Sequence, residues 1–304
     1  MSKAVSYARY GGPEVLEIID VPEPHVGPGQ VRVAVRAAGL NAFDFKLRRD
    51  PAIMPSHTLP SRQGSEFSGV IDELGAGVTG VALGDEVLGW APLNAQAEYV
   101  VVKASNVAAK PADLSWASAG GLYSVGNTAL RSTDAVAPTP ADTVLVSAAA
   151  GGVGILAAQF ALRAGATVIG TASEENHEFL RGLGIIPVSY GPGLVDRIRA
   201  VAPQGITAAI DNAGEETVLA ALELGVAPTR INSVAYYEGA EKYGISVVGS
   251  GKKTSAELWE LARLVASGEL VLPIAATYPL EQVREAYERL ESRHLRGKVV
   301  LLVD

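Results

Sequence analysis

In the N-terminal third of the chain, apolar and polar positions alternate. Gln30-Val31-Arg32-Val33-Ala34-Val35-Arg36 does so with β-branched residues, which predicts a half-buried strand. Gly69–Leu74, Asp85–Trp90 and Glu98–Val102 read as further strands. Gly75, Gly77, Gly80 and Gly84 punctuate them, as tight turns require. The pattern predicts a barrel-like antiparallel domain.

The period then changes. Leu114–Arg131 has helical spacing. Beyond it, short apolar runs alternate with helical segments: Thr143–Val146, then Val153–Ala164; Thr167–Gly170, then Asn176–Leu183. Next come Ile186–Val188, then Leu194–Val201, and Ala208–Ile210, then Glu216–Leu224. Such βα units predict a parallel sheet with helices on both faces. Thr254–Ser267 reads as a long amphipathic helix. Strand patterning returns at Leu270–Thr277 and Gly297–Val303, with a helix over Leu280–Leu290 between them. No repeat or low-complexity linker separates the two patterns, so the boundary falls within continuous elements. The predicted division is residues 1–118, 119–255 and 256–304, with the last stretch returning to the first domain.

One motif in the alternating half carries chemistry. Ser147-Ala148-Ala149-Ala150-Gly151-Gly152-Val153-Gly154 follows a strand and opens an apolar helix. A turn of small residues lets backbone amides approach a pyrophosphate, and the helix N-terminus favours negative charge. The first glycine of the usual GxGxxG is Ala148, so a plain strand-to-helix turn is the competing reading. The second strand, about 20 residues on, favours dinucleotide binding. That strand ends Gly170-Thr171-Ala172-Ser173, where an NAD site commonly carries an acid for the ribose hydroxyls. Small residues there leave room for a 2′-phosphate, and His177 and Arg181 could add charge; this points to NADPH. Glu174 and Glu175 act against it, and Ser173 could simply cap the next helix.

Composition narrows the partners. The chain has 304 residues, 48% apolar and 19% charged, enough for a sizeable core and unlike a disordered chain. Net charge is −8 with no run of five like charges, which argues against nucleic acid or an anionic membrane. The segment MSKAVSYARYGG lacks the apolar core of a signal peptide. Thr143–Leu162 is interrupted by glycines and Gln159, so it is not expected to span a membrane. Cysteine is absent, which removes disulfides and thiol nucleophiles and fits a cytoplasmic location.

Several motifs together resemble a known family. Tyr10-Gly11-Gly12-Pro13-Glu14-Val15-Leu16 and Ala38-Gly39-Leu40-Asn41-Ala42-Phe43-Asp44 resemble segments of the quinone oxidoreductases. So do Gly64–Ile71, Gly75–Val78, Gly84–Val87, the Ala148–Gly154 turn, Gly170–Ser173 and Gly297–Leu301. The chain is thus similar to the zinc-free, zeta-crystallin-like branch of the medium-chain dehydrogenase/reductase superfamily. The resemblance implies a GroES-like β-barrel catalytic domain formed by both chain ends. Inserted in it would be a Rossmann domain with a doubly wound parallel sheet. It also implies a homodimer.

The resemblance further implies site residues. Asn41 and Asp44 match the active-site loop, with Asn41 near the nicotinamide ribose. Lys46 stands where relatives often carry tyrosine, so it is either a proton donor or a solvated lysine; Asp44 could equally cap its helix. Thr128 would face the nicotinamide, or bond its own backbone. Ala150, Gly151, Gly152, Val153 and Gly154 would hold the pyrophosphate, with Ser173, His177 and Tyr190 around the 2′-phosphate. Tyr190 could instead be a surface aromatic. Asn212, Ser233 and Val234 would lie at the nicotinamide.

Zinc-dependent relatives need a thiolate and an imidazole. Here there is no cysteine, and Ser65 replaces the histidine of their Gly-His-Glu motif. The stretch between Asp211 and Ser250 is short for the family, and Arg62-Gln63 replaces a proline-containing turn. The expected activity is metal-free hydride transfer from NADPH to a small electrophile, a quinone or an enone. The alternative is a non-catalytic NADPH-binding sensor or structural protein.

Overall fold

The computed structural model describes residues 1–251, 254–292 and 294–303. Two compact units divide the chain: Met1–Ser124 with Lys253–Asp304, and Val125–Lys252. Sequence reading places the crossings at 118/119 and 255/256. The first differs because Leu114–Arg131 is not one helix. It is two, Trp116–Gly120 and Tyr123–Val136, and the second runs through the boundary.

The second unit is built on a five-stranded sheet in which every pairing is parallel. The spatial order is Ile186–Val188, Thr167–Thr171, Thr143–Val146, Ala208–Asp211, Ile231–Ser233. In chain order this is 3-2-1-4-5, so the winding reverses between Thr143–Val146 and Ala208–Asp211. Val144, Leu145, Val146, Ala208, Ala209 and Ile210 are all buried. Covered on both faces, these strands have no polar side to show, which is why they read as unbroken apolar runs. Helices Gly152–Arg163, His177–Gly182, Leu194–Val201 and Glu215–Glu223 connect them. A sixth strand is reduced to one parallel bridge, Asn232 to Ser246. The shortness noted between Asp211 and Ser250 lies there, with the helix Gly239–Tyr243 in the gap.

The first unit carries a seven-stranded sheet around Gln30–Gly39, which pairs with Glu66–Leu74, Tyr99–Lys103 and Lys298–Leu302. A separate three-stranded sheet joins Ser2–Tyr7, Glu17–Val21 and Ser61–Arg62. Within the N-terminal third every pairing is antiparallel, as the alternation there predicts; in the C-terminal stretch, Ile274–Pro279 and Lys298–Leu302 pair in parallel at one edge. The helix Val283–Glu291 between them makes that crossover possible. Val5, Val33, Phe67, Ile71, Tyr287 and Leu301 are among its fully buried residues.

Candidate functional site

In the second unit, the turn after Thr143–Val146 is held from several sides. The Ser147 amide donates to Ile210 O (3.0 Å), the Ala149 amide to Thr171 O (2.9 Å) and the Ala148 amide to Thr171 Oγ1 (3.2 Å). Ala148 sits at φ +48°, the left-handed region that glycine takes freely. The missing first glycine is therefore a conformational departure as well as a chemical one. A side chain on Gly154 would lie 2.8 Å from the Ala148 carbonyl carbon and 2.9 Å from Ser147 O, nearer still to Ala148 O. Gly154 thus lets helix Gly152–Arg163 pack directly on the strand end. Gly151 is its N-cap and uses no side chain, so the first amides of the helix are left for another acceptor. Ala150 is buried, while Gly152 and Val153 lie at the helix start.

Asp211 organises the neighbouring strand ends. Fully buried, it accepts from Ser147 Oγ (2.8 Å), Ser233 Oγ (2.6 Å) and the amides of Ala213 and Gly214 (2.9 and 3.0 Å). Ser147 Oγ in turn accepts from the Asn212 amide, and Ser233 Oγ from those of Ala235 and Tyr236. Asn212 Nδ2 donates to Ser147 O (3.0 Å), while Asn212 Oδ1 is buried without a partner. The sequence points to Asn212, Ser233 and Val234, which share this loop cluster, but gives Asp211 no role. Its missing cue was the serine-to-carboxylate pairing, which periodicity does not show.

The other residues expected around the cofactor are more scattered. Ser173 Oγ donates to Glu175 Oε1 (3.2 Å) and accepts from Asn176 Nδ2 (3.0 Å). It is the N-cap residue of the short helix Glu174–Asn176, without a side-chain cap bond. His177 Nε2 lies 3.3 Å from Ala172 O. Tyr190 is 48% exposed, in a loop whose carbonyls Ser189, Tyr190, Gly191 and Pro192 all accept from Arg197. Thr128 is half-buried on helix Tyr123–Val136.

In the first unit, Asn41 caps helix Ala42–Arg49, and its amide donates to Asp44 Oδ2 (2.8 Å). Its side chain meets two buried charges. Asn41 Nδ2 donates to Glu66 Oε1 (2.8 Å), and Lys298 Nζ donates to Asn41 Oδ1 (2.6 Å). Sequence reading places Asp44 among the catalytic groups. The structure leaves it only 1% exposed, accepting from Tyr287 Oη (3.2 Å), which itself accepts from Gln63 and Gln96. Burial pushes the Asp44 carboxyl up to about 7, against the pull of the Asn41 amide and the Lys298 charge. So enclosed, the carboxyl meets the Asn41 backbone amide and the Tyr287 hydroxyl rather than solvent. Lys46 is half-buried on the same helix, with no hydrogen bond or ion pair for its side chain among the described residues.

Among the described residues no donor set gathers that would fit zinc. Cysteine is absent from the chain, and among the described residues no three His, Asp or Glu side chains gather as a metal would need. His57 Nε2 is 2.8 Å from Tyr7 Oη, and His25 pairs with Glu73. No helix among the described residues is long and apolar enough to cross a membrane.

A parallel sheet with a glycine-rich turn beside its winding reversal, on one chain with a GroES-like unit, defines a medium-chain dehydrogenase/reductase. Residues 27–124 match the Alcohol dehydrogenase GroES-like domain family and residues 185–301 the Zinc-binding dehydrogenase family. The quinone oxidoreductase of Pseudomonas aeruginosa is 30% identical, over 99% of this chain and all of its own. The structure of the Coxiella burnetii quinone oxidoreductase superposes with a TM-score of 0.88 at 33% identity, covering 100% of this chain and 99% of that one. That of Escherichia coli quinone oxidoreductase complexed with NADPH gives 0.86 at 26% identity, covering 99% of each. The chain belongs to the quinone oxidoreductase family of that superfamily.

Proposed function

We propose that this chain is an oxidoreductase that uses NADPH to reduce a quinone or another α,β-unsaturated carbonyl without a metal. The observation that carries the reading is the Ser147–Gly154 turn. There a helix start with open amides is seated on a strand end by Gly154, beside the unpartnered Asn212 Oδ1. Those amides would take the pyrophosphate, and Asn212, Ser233, Val234 and Thr128 would line the nicotinamide. When bound, the cofactor supplies a hydride. Negative charge then develops on the acceptor's oxygen, and Asn41 would meet it with an N–H. Lys46 would return the proton.

The choice of NADPH rests on Ala172 and Ser173 standing where an acid would repel a phosphate, with His177 and Tyr190 nearby. Glu175 opposes it by taking the Ser173 hydroxyl. The same reading makes the protein a cytoplasmic homodimer, and sedimentation velocity checks the assembly.

Stopped-flow NADPH oxidation over quinones, enones and aldehydes tests the activity, with turnover expected on the conjugated acceptors. NADPH binding with no turnover on any of them would favour a sensor or structural role. Absence of both would overturn the proposal. Parallel titration with NADH should show binding at least several-fold weaker; equal affinities would give the site to Glu174 and Glu175.

A further inference from the structure

The mechanism above uses Asn41 but not the two buried charges that hold it. Glu66 is fully buried and Lys298 is 3% exposed, both within the first unit. Lys298 Nζ spends its three N–H groups on Leu40 O (2.7 Å), Asn41 Oδ1 (2.6 Å) and Glu66 Oε1 (2.9 Å). Glu66 Oε1 also accepts from Asn41 Nδ2, and Glu66 Oε2 accepts from the Ser124 amide (2.7 Å). All three donors of Lys298 and both oxygens of Glu66 thus have partners. Space for the carboxylate is kept by glycine: a side chain on Gly39 would lie 2.8 Å from Glu66 Cδ and 2.8 Å from Gly120 O.

This arrangement decides which way the Asn41 amide faces. Its oxygen lies against an ammonium and its nitrogen against a carboxylate. Turned over, each end would meet a group of its own kind. One N–H of Asn41 is then spent on Glu66 and the carbonyl on Lys298, leaving a single N–H to offer. The ammonium on the carbonyl also polarises the amide and strengthens that remaining donor.

We infer that Glu66 and Lys298 are positioning residues that lock Asn41 as a one-donor group, so that the ligand atom it meets is an acceptor oxygen. The inference rests on the reading that Asn41 touches the cofactor or substrate. Breaking one charge alone strands the other in the interior and can unfold the protein, so the pair is exchanged together. Glu66→Gln/Lys298→Met keeps the shapes and removes both charges. It should lower kcat/KM for a conjugated acceptor about tenfold or more, the worth of one well-placed hydrogen bond. In an Asn41→Ala background the same exchange should change kcat/KM by less than about twofold, because its route is already gone. A multiplicative loss in that background, or full activity of the exchanged pair alone, overturns the inference.

A second readout does not need turnover. The Asn41 side-chain amide signals, identified in ¹H–¹⁵N spectra by their loss in Asn41→Ala, should shift or split into two orientations in the exchanged pair. Unchanged signals overturn the positioning role. Shifted signals in a protein that turns over no acceptor leave positioning supported and overturn the oxidoreductase reading.

Discussion

Gly154→Ala tests the packing on which the dinucleotide site depends. The added methyl would sit 2.8 and 2.9 Å from the Ala148 carbonyl carbon and Ser147 O, well inside ordinary carbon contact distances. Both obstacles are backbone, so no side chain can swing aside. The strand end cannot give either, being fixed by Ser147 to Ile210, Ala149 to Thr171 and Ser147 Oγ to Asp211. The helix Gly152–Arg163 must move, and overpacking of this kind costs about 1–3 kcal/mol. Up to about 1 kcal/mol returns from replacing glycine with alanine in a helix. The net loss is roughly 1–2 kcal/mol, or about 3–6 °C in melting temperature. Displaced amides should weaken NADPH binding about tenfold. Gly182→Ala is the control, since nothing lies within 4 Å of its added methyl. Calorimetry and fluorescence titration read both effects. If Gly154→Ala melts no lower than Gly182→Ala and binds NADPH as the parent does, close helix–strand packing is not what the glycine supplies.

Ala148→Gly should hold or raise the melting temperature, because relief of left-handed strain of about 1–2 kcal/mol outweighs glycine's entropic cost of about 0.5–1 kcal/mol; a clear drop would count against strain at φ +48°. Asp44→Asn should change how stability varies with pH. The folded-state carboxyl is raised from 3.8 to about 7, so its contribution is full below pH 4 and lost as pH rises through 7. By that linkage the wild type gives up as much as about 4 kcal/mol over this window, and the variant, lacking the group, should not; parallel stability curves for the two would refute the assignment. Purified protein should carry no stoichiometric zinc, and chelators should leave turnover unchanged; one zinc per chain by elemental analysis would reverse that reading.

The parallel sheet was legible because its strands are covered on both faces and so read as apolar runs closed by glycines. The glycine turn was legible because phosphate approach and tight packing both demand small residues in a fixed order. Ser2–Tyr7, Glu17–Val21 and Val107–Ala109 escaped notice, being short or set by pairings distant in sequence. The helix over Leu114–Arg131 was misjudged as continuous because its spacing carries through Gly120-Gly121. In the site, Asn41 and Asp44 stood out through their motif. Lys298 and Gln63 did not, because a buried polar residue looks like any surface one until its partners, here 257 and 224 positions away, are known. Asp211 was hidden for the same reason, its serines lying 64 and 22 positions off.

The strand Lys298–Leu302 joins residues 37–39 at the middle of the first unit, and its first residue completes the surroundings of Asn41. The second unit, Val125–Lys252, is one uninterrupted stretch. During synthesis it is fully delivered before the last strand leaves the ribosome, so it can fold while the N-terminal unit still lacks an interior strand. A nascent chain that has not yet delivered Lys298–Leu302 would therefore carry a finished parallel-sheet unit and an unfinished first unit, with an open sheet edge at Ala37–Gly39.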